Sequence, residues 1–186
     1  MAEHISSGHD RRNTVRTLAL DGLMAALSII LTRFLSLNIP IGGGLGARVG
    51  LGHLPIVVVG ILLGPVHGFL VGVVADVVGH FLWPAGAYVW QVTAISALNG
   101  FIPALIIRFG RIRSRFVRVW MGVAVARLVL SVGWLPFALH AVLGLPYWPV
   151  LAGQAAGSLI MIPATALLTN TLVEAYERAG FGHVRG

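Results

Sequence analysis

The charged residues that could do chemistry are few, and their positions are unusual. Asp76 and Arg127 each stand inside a long apolar run, and Arg33 and Arg48 flank a glycine-rich stretch, residues 38–47 (NIPIGGGLGA). A guanidinium offers five N–H donors in a planar fork, so Arg33 and Arg48 together suit a ligand that carries carboxylates. Their alternative use is to anchor helix ends at a membrane surface. His53, His80, Gln91 and Asn99 would supply hydrogen bonds to ring nitrogens and carbonyls. Trp90, with Trp83, Tyr88, Trp134, Tyr147 and Trp148, would stack on a planar heterocycle or form an interfacial aromatic belt. This is the chemistry of binding rather than of bond-making.

The motifs of catalysis are missing. There is no Cys and no Lys, which excludes disulfides, thiolate nucleophiles, a P-loop lysine and a Schiff-base lysine. Neither G-x-S-x-G nor H-E-x-x-H occurs, so no catalytic residue is assigned and no enzyme is expected. His53, His80 and His140 share no helical ligand spacing, and no metal site is expected from them. The GGGLG within residues 38–47 has no expected strand before it and no lysine after it, which argues against a nucleotide loop; a mobile lid over a pocket fits better.

The elements that must position these residues are apolar and long. The 186-residue chain is 57% hydrophobic and only 10% charged, with a mean hydropathy of +0.89. A soluble domain cannot cover its surface at that composition, whereas a multi-span membrane protein can. The expected fold is an all-α membrane bundle of six transmembrane helices: a tail at 1–16, a membrane domain at 17–173 and a second tail at 174–186. The first tail is polar and expected to be disordered, and the run after it is too long for a secretory signal.

Helix 1 is expected over 17–37, with Ala19, Gly22 and Ala26 on one small-residue face that would let another helix approach closely, inside the bundle or outside it. Helix 2 is expected over 48–63 with Pro55 inside it, and helix 3 from the Gly64-Pro65 turn to Leu82. Gly60, Gly64, Gly68 and Gly72 fall every fourth residue across that pair. Helices 4, 5 and 6 are expected over 89–107, 116–139 and 150–172. Thr93 and Ser96, and Gln91 and Asn99, give helix 4 two neighbouring polar stripes.

Arginine sets the orientation. Ten of the thirteen arginines fall in the two tails and the 108–118 loop, which puts both termini in the cytoplasm by the positive-inside rule. The net charge of +7 therefore reads as a topology signal rather than as nucleic-acid binding. Asp76 lies about 15 Å above Val66 and Arg127 about 16 Å above Phe116, at ~1.5 Å per residue. Both would sit near the middle of the bilayer, where an unpaired charge is expensive, and an Asp76–Arg127 pair is expected.

The stretch from Arg48 to Gly79 resembles the substrate-binding S-components of energy-coupling factor (ECF) vitamin transporters, and most of all their folate members. The likeness rests on R-x-G (Arg48, Gly50), Pro55, G-x-L-x-G-P-x-x-G from Gly60 to Gly68, and G-x-x-x-D-x-x-G (Gly72, Asp76, Gly79), together with the small-residue face of helix 1. It covers residues 17–82 in detail and the remainder in span count and size.

The resemblance implies a six-helix subunit in a prokaryotic plasma membrane that binds one vitamin from outside, best folate, and has no cofactor of its own. ATP would be used by two partner ATPases, reached through a membrane coupling subunit, and the S-component would topple in the bilayer to release its vitamin. The family's docking surface is the small face of helix 1, here Ala19, Gly22 and Ala26, with Gly22-x-x-x-Ala26 in place of Ala-x-x-x-Ala. For a folate-like ligand, Arg33 and Arg48 would hold carboxylates, Trp90, Gln91 and Asn99 the pterin, and Asp76 a ring amino group and amide N–H, with His80 nearby. The alternatives are another vitamin or heterocycle such as thiamine or a precursor, a membrane scaffold, or an integral membrane enzyme.

Overall fold

The computed structural model describes residues 3–39, 47–84, 88–110 and 114–179. The chain runs as α1 (Glu3–Phe34), strands β1 (Ser36–Ile39) and β2 (Ala47–Gly50), a 3₁₀ turn (Leu51–His53), α2 (Leu54–Leu63), α3 (Pro65–Leu82), α4 (Trp90–Phe109), α5 (Arg115–Ala126), a π-helical segment (Arg127–Trp134), α6 (Leu135–Leu143) and α7 (Tyr147–Arg178). Among the described residues, five stretches are long and apolar enough to cross a membrane: Thr14–Phe34, Pro65–Leu82, Trp90–Phe109, Arg115–Leu143 and Tyr147–Arg178. Their outward faces carry large apolar side chains such as Phe34, Phe81, Leu159 and Ile160, as a lipid-facing surface requires.

The second expected helix is where the fold departs most from the sequence reading. Arg48 to Gly50 belong to a strand, paired antiparallel with β1 in the register Ser36↔Gly50 and Asn38↔Arg48. Among the described residues the regular structure is thus helical except for one short hairpin, and a strand does precede the glycine-rich stretch. The lid expected there lies on residues 40–46, outside the described residues. Pro55 sits in the first turn of α2 rather than inside a helix, where its missing N–H would be unpaired anyway. α1 also begins at Glu3 instead of Thr17, so a backbone helix replaces the expected disordered tail. No proline occurs before residue 40 to break it.

α2 is short, ten residues, and every residue from Leu54 to Ile61 is buried. A helix that is apolar all round belongs in the middle of a bundle, and α2 packs against α1, α3, α4 and α7. Val57 and Ile61 form one core cluster with Ile107, Val119, Val123, Ala166 and Val173. Ile56 and Val59 form another with Ala25, Val71 and Ala75.

The α2–α3–α4 contact is close because its residues lack side chains. A Cβ on Gly68 would come within 2.7 Å of both the Gly100 carbonyl oxygen and the Gly60 Cα, and one on Gly72 within 2.5 Å of the Ser96 carbonyl oxygen. Gly64 turns α2 into α3 at φ 117°, a backbone region that suits glycine.

The π segment interrupts a rod that otherwise runs from Arg115 to Leu143. Pro136 follows it directly and is buried. A proline lacks an N–H and its ring clashes with the carbonyl four residues earlier, so a widened turn upstream relieves both faults.

Candidate functional site

Asp76 is one turn beyond Gly72 on α3, on the side where that glycine lets α4 approach. Two hydroxyls of α4 meet it there: Thr93 Oγ1 donates to Asp76 Oδ2 at 2.6 Å, and Ser96 Oγ to Oδ1 at 3.4 Å. Tyr88 Oη lies 2.7 Å from the same Thr93 oxygen. Thr93 has one hydroxyl proton and gives it to the carboxylate, so Tyr88 must be the donor to Thr93. The result is an ordered relay, Tyr88 to Thr93 to Asp76, with every proton aimed at the carboxylate. The His80 ring packs edge-on against Tyr88 at 5.2 Å between centroids. An open cleft of about 390 Å³ lies beside the relay between α3 and α4, with Phe69, Val73, Ala97 and Leu98 as apolar walls and Tyr88, Trp90 and Thr93 at its polar end.

The expected Asp76–Arg127 pair does not form. Among the described residues the ion pairs include His67–Asp21 (2.7 Å), Arg115–Glu177 (2.5 Å) and Arg178–Glu174 (3.7 Å), and none joins these two. Asp76 faces α4, whose Thr93 and Ser96 hydroxyls satisfy it, and the segment that carries Arg127 packs against both α4 and α7. Arg127 is buried on the rod that packs against α7.

The remaining expected residues separate into two groups. Arg33 Nη2 donates to the Gly79 carbonyl at 2.7 Å, tying the C-terminal end of α1 to α3 one turn beyond Ala75 and three residues from Asp76. Trp90 begins α4 at the rim of the cleft and is mostly exposed. Asp76, His80 and Trp90 are therefore drawn together around the Tyr88–Thr93 pair. Asn99 is buried and donates to the Ile95 carbonyl of its own helix at 2.8 Å, away from that group. Gln91 keeps a buried Oε1 without a hydrogen-bond partner. Arg48 contributes backbone to β2. Ala19, Gly22 and Ala26 are all exposed along α1, and a Cβ added to Gly22 would meet nothing within 4 Å.

Sequence reasoning missed Thr93 and Ser96 as the partners of Asp76 and Tyr88 as the donor to Thr93, although the polarity of Thr93 and Ser96 on helix 4 was the available signal. It also missed the Asp21–His67 pair, which joins α1 to α3 near the end opposite the cleft.

Comparison with known proteins adds to this geometry. The family model described as "ECF-type riboflavin transporter, S component" matches residues 12–178. A curated relative, the folate transporter FolT of Clostridium novyi (strain NT), is 29% identical over 141 residues, covering 76% of this chain and 73% of the relative. Among solved structures, FolT bound with folic acid superposes with a TM-score of 0.68 at 22% identity, covering 85% of this chain and 96% of that one. The S component of a bacterial ECF transporter superposes with a TM-score of 0.67 at 19% identity, covering 90% and 96%.

Proposed function

The chain belongs to the S-component family of ECF-type transporters, and on that premise we propose that it captures folate at the outer face of a prokaryotic plasma membrane. It is a membrane-embedded transporter subunit, not an enzyme. The observation that carries the binding reading is the Tyr88–Thr93–Asp76 relay at the edge of a cleft of about 390 Å³. The cleft is an open groove with mostly apolar walls, into which Tyr88 and Thr93 bring the polar end of the relay while Asp76 stands behind Thr93. A carboxylate held by two hydroxyls is an acceptor ready for the ring amino and amide N–H of a pterin, with Trp90 and His80 beside it. Arg33 has one donor on Gly79 and would turn others, with Arg48, to the glutamate carboxylates. Gln91, with its unpartnered Oε1, would complete the ring contacts, and Asn99 could join only by giving up its bond to the Ile95 carbonyl. The likeness to the Clostridium novyi folate transporter favours folate among the vitamins.

In this reading the chain makes six crossings, the second built from the hairpin, the 3₁₀ turn and α2, around a membrane domain at 17–173. The tails, 1–16 and 174–186, lie in the cytoplasm, consistent with the arginine distribution. The exposed face of Ala19, Gly22 and Ala26 would dock on a coupling subunit that carries two ATPases, and the chain itself would need no cofactor. A second reading, riboflavin, is favoured by the description of the matching family model.

The test is to purify the protein, identify the co-purifying vitamin by mass spectrometry, and titrate folate and riboflavin. Folate in the preparation and a tighter folate isotherm are expected. Riboflavin alone would select the second reading, and neither vitamin would overturn both.

A further inference from the structure

Arg127 is a buried charged group that the relay, the ion pairs and the arginine topology leave without a task. It is 9% exposed, and among the described residues no hydrogen bond or ion pair satisfies its guanidinium. A guanidinium in that condition near mid-membrane is costly, and intramembrane charges are kept where they meet a partner or a polar path. We propose that Arg127 is a specificity-determining residue of the binding site, whose guanidinium receives a planar acceptor edge of the vitamin. That edge is a carboxylate, or a carbonyl oxygen with an adjacent ring nitrogen. The proposal rests on the vitamin-binding reading and names a subsite that the sequence had assigned to an internal salt bridge.

Three further observations point the same way. Arg127 opens the π segment, and single stretches of π helix inside α-helical rods occur frequently at functional sites. It also lies one turn beyond Val123, which clusters with Val57 of α2 and Ala166 of α7. That places it on the interior face of the rod, next outward from the sealed apolar floor, rather than on the lipid side. Finally, the surroundings are polar without being satisfied. Ser131 is buried one turn further along the same face, and α7, one of the helices against which the segment packs, buries Ser158 with a hydroxyl oxygen that has no partner among the described residues. Unpaired buried hydroxyls are rare in finished cores. A buried guanidinium and a buried hydroxyl without partners, on two elements that pack together, are groups that a polar ligand edge would satisfy.

The experiment compares the full chain with Arg127→Met and Arg127→Lys in detergent, measuring unfolding without ligand and affinity for folate and for pteroate, which lacks the glutamate. Arg127→Met removes an unpaired buried charge, so the ligand-free protein is expected to melt at or above the wild-type temperature. Folate affinity is expected to fall about ten- to a hundredfold, the range for a lost charge-assisted hydrogen bond. Arg127→Lys keeps charge but not the fork and is expected to recover only part of the loss; it carries the test if the Met variant does not fold. Equal losses for folate and pteroate would identify a ring or pteroyl acceptor, and a loss for folate alone the glutamate carboxylate. Unchanged folate affinity, with or without a lowered melting temperature, would overturn the assignment while leaving the folate reading intact. Failure of the wild-type protein to bind folate would remove both.

Discussion

Replacing Thr93 by Val tests the relay at its hub. The substitution keeps the shape of the side chain and deletes the one oxygen that touches both Asp76, at 2.6 Å, and Tyr88, at 2.7 Å. Thr93 is only 8% exposed, so no water replaces the lost donor easily. A hydrogen bond to a charged acceptor contributes about 1.5–3 kcal/mol. Tyr88 is 46% exposed and finds another partner at the interface, so its side of the relay adds little. Ser96, at 3.4 Å, is a long contact and recovers part of the loss only if α4 shifts, which Gly72 against the Ser96 carbonyl resists.

The expected cost is therefore about 1.5–3 kcal/mol, or roughly 3–12 °C in melting temperature for a chain of this size. The assay is thermal unfolding in detergent, with Thr93→Ser as the control that keeps the hydroxyl. A double-mutant cycle with Asp76→Asn isolates the charged contact. In the Asp76→Asn background, Thr93→Val should cost at least about 1 kcal/mol less, because the acceptor is no longer ionised. Wild-type melting of Thr93→Val, or the same cost in both backgrounds, would refute the relay.

Other perturbations separate fold, site and docking. Gly100→Leu would drive a side chain into the Gly68 carbonyl and Ile56, where backbone cannot yield, and should cost at least about 1–3 kcal/mol and reduce the yield of folded protein in detergent chromatography. Gly22→Leu should leave melting and folate affinity at wild-type values, since nothing lies within 4 Å of the added carbon, while abolishing co-purification of the coupling subunit; retained co-purification would move the docking face elsewhere. Arg33→Met removes the 2.7 Å bond to Gly79 and should lower both melting temperature and folate affinity, whereas a change in affinity alone would mean that the Gly79 contact is incidental. Glu177→Gln breaks the pair with Arg115, whose members are both partly exposed, and should cost less than about 1 kcal/mol in the same melting assay, with a smaller difference at high salt.

Helix 3 was legible in the sequence almost to the residue, because Gly64-Pro65 opens it and Trp83-Pro84 closes it. Helix 2 was not. Residues 48–53 (RVGLGH) are too short and too mixed to distinguish strand from helix by periodicity, and the hairpin pairing that decides the matter is a contact with residues 36–39. Rise per residue put Asp76 and Arg127 at one height, but height does not give azimuth. The missing clue was Gly72: a small residue one turn before Asp76 marks the side on which the nearest helix lies, and that helix carried Thr93 and Ser96. The π segment left only an indirect trace in Pro136, since the widened turn lies upstream of the residue that favours it.

α2 carries a consequence for how the molecule is made. Ten residues rise about 15 Å, half of a ~30 Å hydrocarbon core. Its flanks are sheathed by protein, not lipid. Released into a bilayer by itself, such a segment would strand its end carbonyls and amides in hydrocarbon. It is therefore expected to leave the insertion machinery only as one arm of a hairpin with α3, already folded back at Gly64, and to be sealed once α4 arrives against Gly60 and Gly68. Assembly in the membrane would then be ordered from the middle outward, with α7, made after α2, α3 and α4, closing a wall around a pillar that has already been set.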